Sequence, residues 1–83
     1  MSENNIKVRV FDMEHGLVEY ENVKTVKIVS KDYNLLIMKD YLSVIGEIVG
    51  NVELKGEDVD VSFKGIKAFY MNSKNVFNLM IEE

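Results

Sequence analysis

Apolar and polar residues alternate along most of this chain, and the alternation predicts strands almost throughout. Ile6, Val8 and Val10 fall on one side of an extended segment, with Lys7 and Arg9 on the other, the period of two that marks a half-buried strand. Asp12-Met13-Glu14-His15-Gly16 reads as a turn in which Gly16 suits a positive φ. Residues 17–20 return as a short second strand, Glu21-Asn22 breaks it, and residues 23–29 form a third with Val26 and Ile28 inward.

After a turn over residues 30–34, Leu35-Leu36-Ile37-Met38 is apolar without alternation, as expected of a strand covered on both faces or running into an interface. The charged pair Lys39-Asp40 interrupts the run before apolar character resumes at Tyr41-Leu42. Residues 42–49 then place Leu42, Val44, Gly46 and Ile48 in one register. Leu35, Met38, Leu42, Ile45 and Val49 also fit a helical period, but the β-branched content and the glycines at 46 and 50 favour strands. Val52 and Leu54 carry a further strand into the turn Lys55-Gly56-Glu57-Asp58. Val59, Val61 and Phe63 alternate with polar residues until Gly65 intervenes, and residues 66–71 form another strand. Asn72-Ser73-Lys74-Asn75 is a hairpin turn, and residues 76–81 close the pattern. The expectation is an all-β chain, an antiparallel β-sandwich of about eight to nine short strands, with a small barrel as the other architecture of that spacing.

Composition narrows the class. Eighty-three residues make one small domain, spanning 1–83 with residues 1–5 expected to fray. With 47% hydrophobic residues the chain can bury a core, and with no cysteine it has neither disulfides nor thiolate metal sites. Fourteen acidic against ten basic residues give a net charge of −4, which works against binding a phosphate backbone. No apolar run approaches a membrane span and the first residues lack a secretory pattern, so a cytoplasmic location without direct membrane insertion is expected.

Candidate chemistry is sparse. His15, flanked by Asp12 and Glu14, is the only histidine, and a metal site needs three or four converging ligands. Asp58 and Asp60 share one face of a strand, but alternation with Val59, Val61 and Phe63 turns that face to water, with no nucleophile beside it. No nucleophile elbow or phosphate loop is present. The tyrosines and phenylalanines lack the basic groove that stacked bases require. The chain is expected to be no enzyme by itself and to use no cofactor. What stands out is the bounded apolar run ending in a loop that still carries large side chains, so Met38, Lys39, Asp40, Tyr41 and Leu42, together with the aromatic Phe69, are the candidate interface residues.

The whole chain also resembles the N-terminal β-sandwich of the epsilon subunit of rotary F-type ATP synthases (the delta subunit in mitochondria). Residues 6–10, the turn through Gly16 and residues 23–26 resemble that family's opening strand, turn and "V-x-x-V" step. Asp32, Leu35 and Ile37 stand in place of the "D-G-x-L-G-I-L" segment. Gly50-Asn51-Val52-Glu53-Leu54 resembles "G-x-V-x-I", and Ala68-Phe69 with Asn75-Val76-Phe77-Asn78-Leu79-Met80 resembles "G-G-F … N-x-V-x-V-L". The family's "P-G-H-A-P-L" loop, which meets the membrane ring, is replaced by Lys39-Asp40-Tyr41-Leu42-Ser43-Val44. Attachment to a standard ring therefore does not carry over. The sequence ends at Glu83, so the C-terminal helical hairpin of many relatives, with its inhibitory role, is not expected either.

The resemblance implies a non-catalytic rotor subunit of an F-type or F1-like ATPase. It would pack on a gamma-like central-stalk subunit and, through it, meet the catalytic alpha and beta subunits indirectly. Its location would be cytoplasmic, peripheral to the membrane through the complex. The alternative is a free-standing β-sandwich or oligonucleotide-binding-type barrel for a ligand or oligonucleotide.

Overall fold

The computed structural model describes residues 5–82. Six strands follow one another in the order β1 (Ile6–Asp12), β2 (Gly16–Ser30), β3 (Asn34–Ile37), β4 (Val44–Gly56), β5 (Asp60–Ser73) and β6 (Val76–Glu82). The all-β class is as expected. The strands are fewer and longer than the sequence predicts, and they form a closed barrel in place of two packed sheets.

Each merger of two predicted strands into one has a local cause. Asn22 adopts φ 61, and the pairing register shifts beside it between Val23 and Thr25, so the expected break bends β2 without ending it. Gly65, at φ 63, sits where β5 holds one residue more than β4 between paired positions, and its N–H donates to Asn51 Oδ1 at 2.9 Å. That bulge switches the inward side of β5 from Val61 and Phe63 to Ala68, Tyr70 and Asn72. Gly50 keeps β4 continuous because a Cβ there would run into the Val29 carbonyl on β2. Breakers that would end strands in a flat sheet here supply the coiling that a small barrel needs.

The barrel strands are joined in sequence, β1–β2–β4–β5–β6, and β6 returns to pair with β1 in parallel, Lys7 opposite Val76 through Phe11 opposite Met80. A meander of five barrel strands must close this way, because an odd count leaves its first and last strands pointing alike. The short β3 adds to β2 at the outer edge, Val26 to Val29 opposite Ile37 to Asn34. Its burial alternates: Ile37 is fully buried while Leu36 is exposed, so the uniformly apolar run is covered on one face only.

Inward side chains fill the barrel. Val8, Val23, Val26, Ile28, Ile48, Val52, Leu54, Phe77 and Leu79 have no exposed surface, and the Tyr70 and Phe77 rings stack with centroids 5.7 Å apart. Gly46 leaves the room that the Tyr70 ring occupies.

Candidate interaction surface

The loop over residues 38–43 is part scaffold and part surface. Asp40, at φ 65, donates its N–H to Asn75 Oδ1 at 2.6 Å, and Asn75 Nδ2 returns a bond to Asp40 Oδ1 at 3.3 Å. The Tyr41 N–H closes a turn on the Met38 carbonyl, and Asn72 Nδ2 donates to the Leu42 carbonyl at 3.1 Å. These bonds tie the loop to the β5–β6 hairpin turn. Tyr41 is half-buried and packs against the core. Of the sequence candidates, Met38, Leu42 and Phe69 expose large apolar surface, Asp40 is exposed but held by Asn75, and Lys39 is half-buried.

Phe69 belongs to a larger apolar surface, built from residues that sequence reasoning left aside. Leu17, Phe11, Met80 and Phe69 are successive cross-strand partners on β2, β1, β6 and β5, with Glu47 of β4 next beyond Phe69. In the neighbouring row stand Glu19, Arg9, Asn78, Met71 and Ile45. All of these outward positions except Glu19 and Glu47 line an open groove of ≈ 540 Å³. A smaller groove along residues 43–45 and 71–73 shares Ile45 and Met71 with it and reaches the end of the 38–43 loop at Ser43. The missed signal was in the alternation itself: Phe11, Ile45, Met71 and Met80, like Phe69, are apolar at positions whose strand parity faces outward.

The basic residues beside the groove are paired with acidic neighbours. Arg9 Nε lies 3.1 Å from Glu19 Oε2, Lys7 Nζ approaches Glu19 and Glu21 at 3.8 and 3.7 Å, and Lys67 reaches Glu82 at 3.7 Å. Exposed pairs of this kind add little stability.

The remaining candidates lie apart from it. Asp12 Oδ1 accepts the backbone N–H groups of Glu14 and His15 at 2.7 and 2.6 Å, and its other oxygen lies 3.1 Å from His15 Nδ1. The His15 N–H, above all, holds the Asp12 carboxyl below its ordinary pKa. Asp58 sits in the β4–β5 turn, and Asp60 is paired with Lys55 at 2.8 Å, a bond that raises the Lys55 pKa. Among the described residues no three histidine or acidic side chains cluster to hold a metal, and no helix is long and apolar enough to cross a membrane. The Tyr33 hydroxyl donates to the Glu47 carbonyl at 2.7 Å and lies in a 3.2 Å hydrogen bond with the Tyr70 hydroxyl. Burial, and then that bond, push the Tyr70 pKa well above the ordinary phenol range.

No protein-family model matches the sequence, and no curated protein matches it. Among solved structures, the fold is similar to a chain in the cryo-EM structure of the Tetrahymena thermophila mitochondrial ATP synthase, central stalk and c-ring, with a TM-score of 0.75 over 100% of this chain and 67% of that one, at 8% identity. At that identity the likeness is one of fold, and it extends over the whole barrel.

Proposed function

We propose that this chain is a non-catalytic rotor component of a rotary ATPase, epsilon-like in position, packed on a gamma-like central-stalk subunit. The observation that carries the reading is the likeness of fold, along the full chain, to a chain from an ATP synthase central stalk and c-ring structure. It agrees with the family order of Asp32, Leu35, Ile37 and the segment 50–54 in the sequence. A part that transmits torque needs a rigid body with apolar contact area. A closed barrel with fully buried inward residues and an apolar outer groove meets that need.

On this reading the nucleotide chemistry belongs to the partner subunits, the chain needs no cofactor, and its place is cytoplasmic, at the membrane only through the complex. The replaced loop at residues 39–44 implies an altered attachment below the stalk. Meander connectivity differs from the Greek-key order of oligonucleotide-binding barrels. The one arginine lining the groove is already engaged by Glu19, which leaves little to hold a phosphate chain.

Affinity purification of the tagged full-length chain from its native source, with mass spectrometry of what accompanies it, is the test. The expected result is recovery of gamma-like, alpha-like and beta-like ATPase subunits together. A monodisperse free monomer, with ATPase subunits eluting elsewhere, would overturn the reading.

A further inference from the structure

The open strand edges of the sheet are not equivalent. β4 pairs with β5 from Val44 onward but meets β2 only from Gly50, so residues 44–49 keep one side free. Main-chain groups alternate between the two sides of an antiparallel strand. Val49 turns away from β5: its C=O accepts the Lys31 N–H at 2.8 Å and its N–H donates to Ser30 Oγ at 3.1 Å. Glu47 turns the same way, its C=O accepting from the Tyr33 hydroxyl at 2.7 Å. The same parity places the Ile45 N–H and C=O and the Glu47 N–H on the open side, where no described residue pairs with them.

The chain caps this edge with its own groups as far as Glu47 and stops there. What it leaves bare is apolar. Ile45, 75% exposed, is the most exposed large apolar side chain on any strand among the described residues. Natural sheets guard open edges with charge, bulges or brevity, and the other free edges follow that rule. β3 has four residues, the part of β2 before Val23 carries Glu19 and Glu21, and the part of β5 before Lys67 carries Asp60, Lys64 and the Gly65 bulge.

These bare groups select an extended occupant. Only a main chain not already paired supplies a C=O to the Ile45 and Glu47 N–H groups and an N–H to the Ile45 C=O at strand spacing. A helix has engaged its own internally. The incoming strand would extend the groove floor by one, since Ile45 and Glu47 end its two rows beside Met71 and Phe69. Its side chain next to Ile45 is then apolar. Its side chain next to Glu47 is basic, because Glu47 is exposed and has no ion pair among the described residues. A second copy fits worse: an antiparallel β4 pair centred on Ile45 sets Glu47 beside Ser43, which brings no cation.

We propose that the edge of β4 at Ile45 and Glu47 takes up an extended segment of a partner chain as an added strand, apolar beside Ile45 and basic beside Glu47. The inference deepens the rotor reading by naming how a stalk partner engages this chain. It rests on that reading only for the identity of the partner.

A photo-crosslinking amino acid at Ile45 or Glu47 in the purified native complex, with Leu36 on β3 as the control position, tests the inference. The two edge positions should reach one partner segment at sites two residues apart, with none to that segment from Leu36. Sites three or four apart mean a helix, and crosslinked dimers of this chain mean a second copy. Either result overturns the inference, as does an edge that crosslinks to nothing within an intact complex. The identity of the segment separately decides the rotor reading, since a strand from an unrelated protein would support the added strand and sink the stalk.

Substitution gives a second readout. Ile45→Pro removes an N–H that faces away from β5, so the variant should keep its urea midpoint and lose partner affinity at least tenfold. Unchanged affinity in the folded variant overturns the inference. Should that variant fail to fold, Glu47→Lys decides: affinity should fall at least threefold, and an unchanged value overturns the inference. Where no complex is recovered, the free chain is titrated with an eight-residue peptide of alternating valine and threonine carrying one lysine on its valine face. The amide NMR signals of Ile45 and Glu47 should shift, and alternate N-methylation of the peptide should abolish the shift. No shift, or one that survives N-methylation, overturns the inference.

Discussion

Phe77 and Phe69 are one ring type on neighbouring strands of one sheet, yet Phe77 has no exposed surface and Phe69 is 43% exposed. Both stand among apolar neighbours: Tyr70 and Leu79 inside, Met71 and Met80 outside. What differs is closure. The barrel brings five strands around the inward face, so its apolar residues cover one another. The outward face of the same strands carries an apolar stripe that no other described residue covers. Apolar content alone therefore does not distinguish a core from a contact surface. The inner face is covered by the chain itself, and the outer face is left exposed.

Substitutions break this comparison in order of size. Phe77→Ala should cost about 3–5 kcal/mol through lost burial and a cavity at the ring stack with Tyr70, read as a fall in the urea midpoint. Gly50→Ala should cost about 2–4 kcal/mol, because its Cβ meets the Val29 carbonyl and the sheet must shift. A variant that kept the parental midpoint would mean β2 and β4 can part there freely. Within the 38–43 loop the two faces separate again. Tyr41→Ala should destabilise by about 1–3 kcal/mol, and Leu42→Asp, at a side chain 77% exposed, should leave stability within about 0.5 kcal/mol. Equal effects at the two positions would place both on one side of the boundary.

Tyr70→Phe should cost about 1 kcal/mol by removing the hydrogen bond to Tyr33, and it should also change the alkaline limb of stability. The folded pKa of Tyr70 lies above its unfolded value near 10, so its contribution is present below pH 10 and is lost as pH rises beyond it. The Phe variant should lose stability less steeply above pH 10 in pH-stepped denaturation. Smallest of all, Phe69→Asp should move stability by less than about 1 kcal/mol while removing partner binding. An unfolded Phe69→Asp would assign the groove to the core.

Much of the fold was legible. The inward parity of Ile6, Val8 and Val10 on β1, the Asp12–Gly16 turn and the hairpin through Lys74 and Asn75 all follow from alternation and turn chemistry, and all are observed. The strand count was not legible. Asn22 and Gly65 are the same breakers whether a strand stops or bends, and what decides is whether a neighbouring strand continues to pair across them. The candidate surface was legible in part. Exposed Met38 and Leu42 come from the bounded apolar run, whereas Tyr41 turns inward because Asn72 and Asn75 fix the backbone on either side of it. Apolar residues at outward parity on β1, β4, β5 and β6 were visible singly, but only the cross-strand register joins them into one groove.

By itself, then, the sequence determined the β class and which face of most strands turns inward, because alternation and turn propensity act over a few residues. Only the tertiary structure decided that β6 pairs in parallel with β1 and closes a barrel, and that residues as distant in the chain as Phe11 and Phe69 share one surface. Those outcomes depend on pairing between segments far apart in the chain. Local preference can permit such pairing, and only the closed sheet selects it.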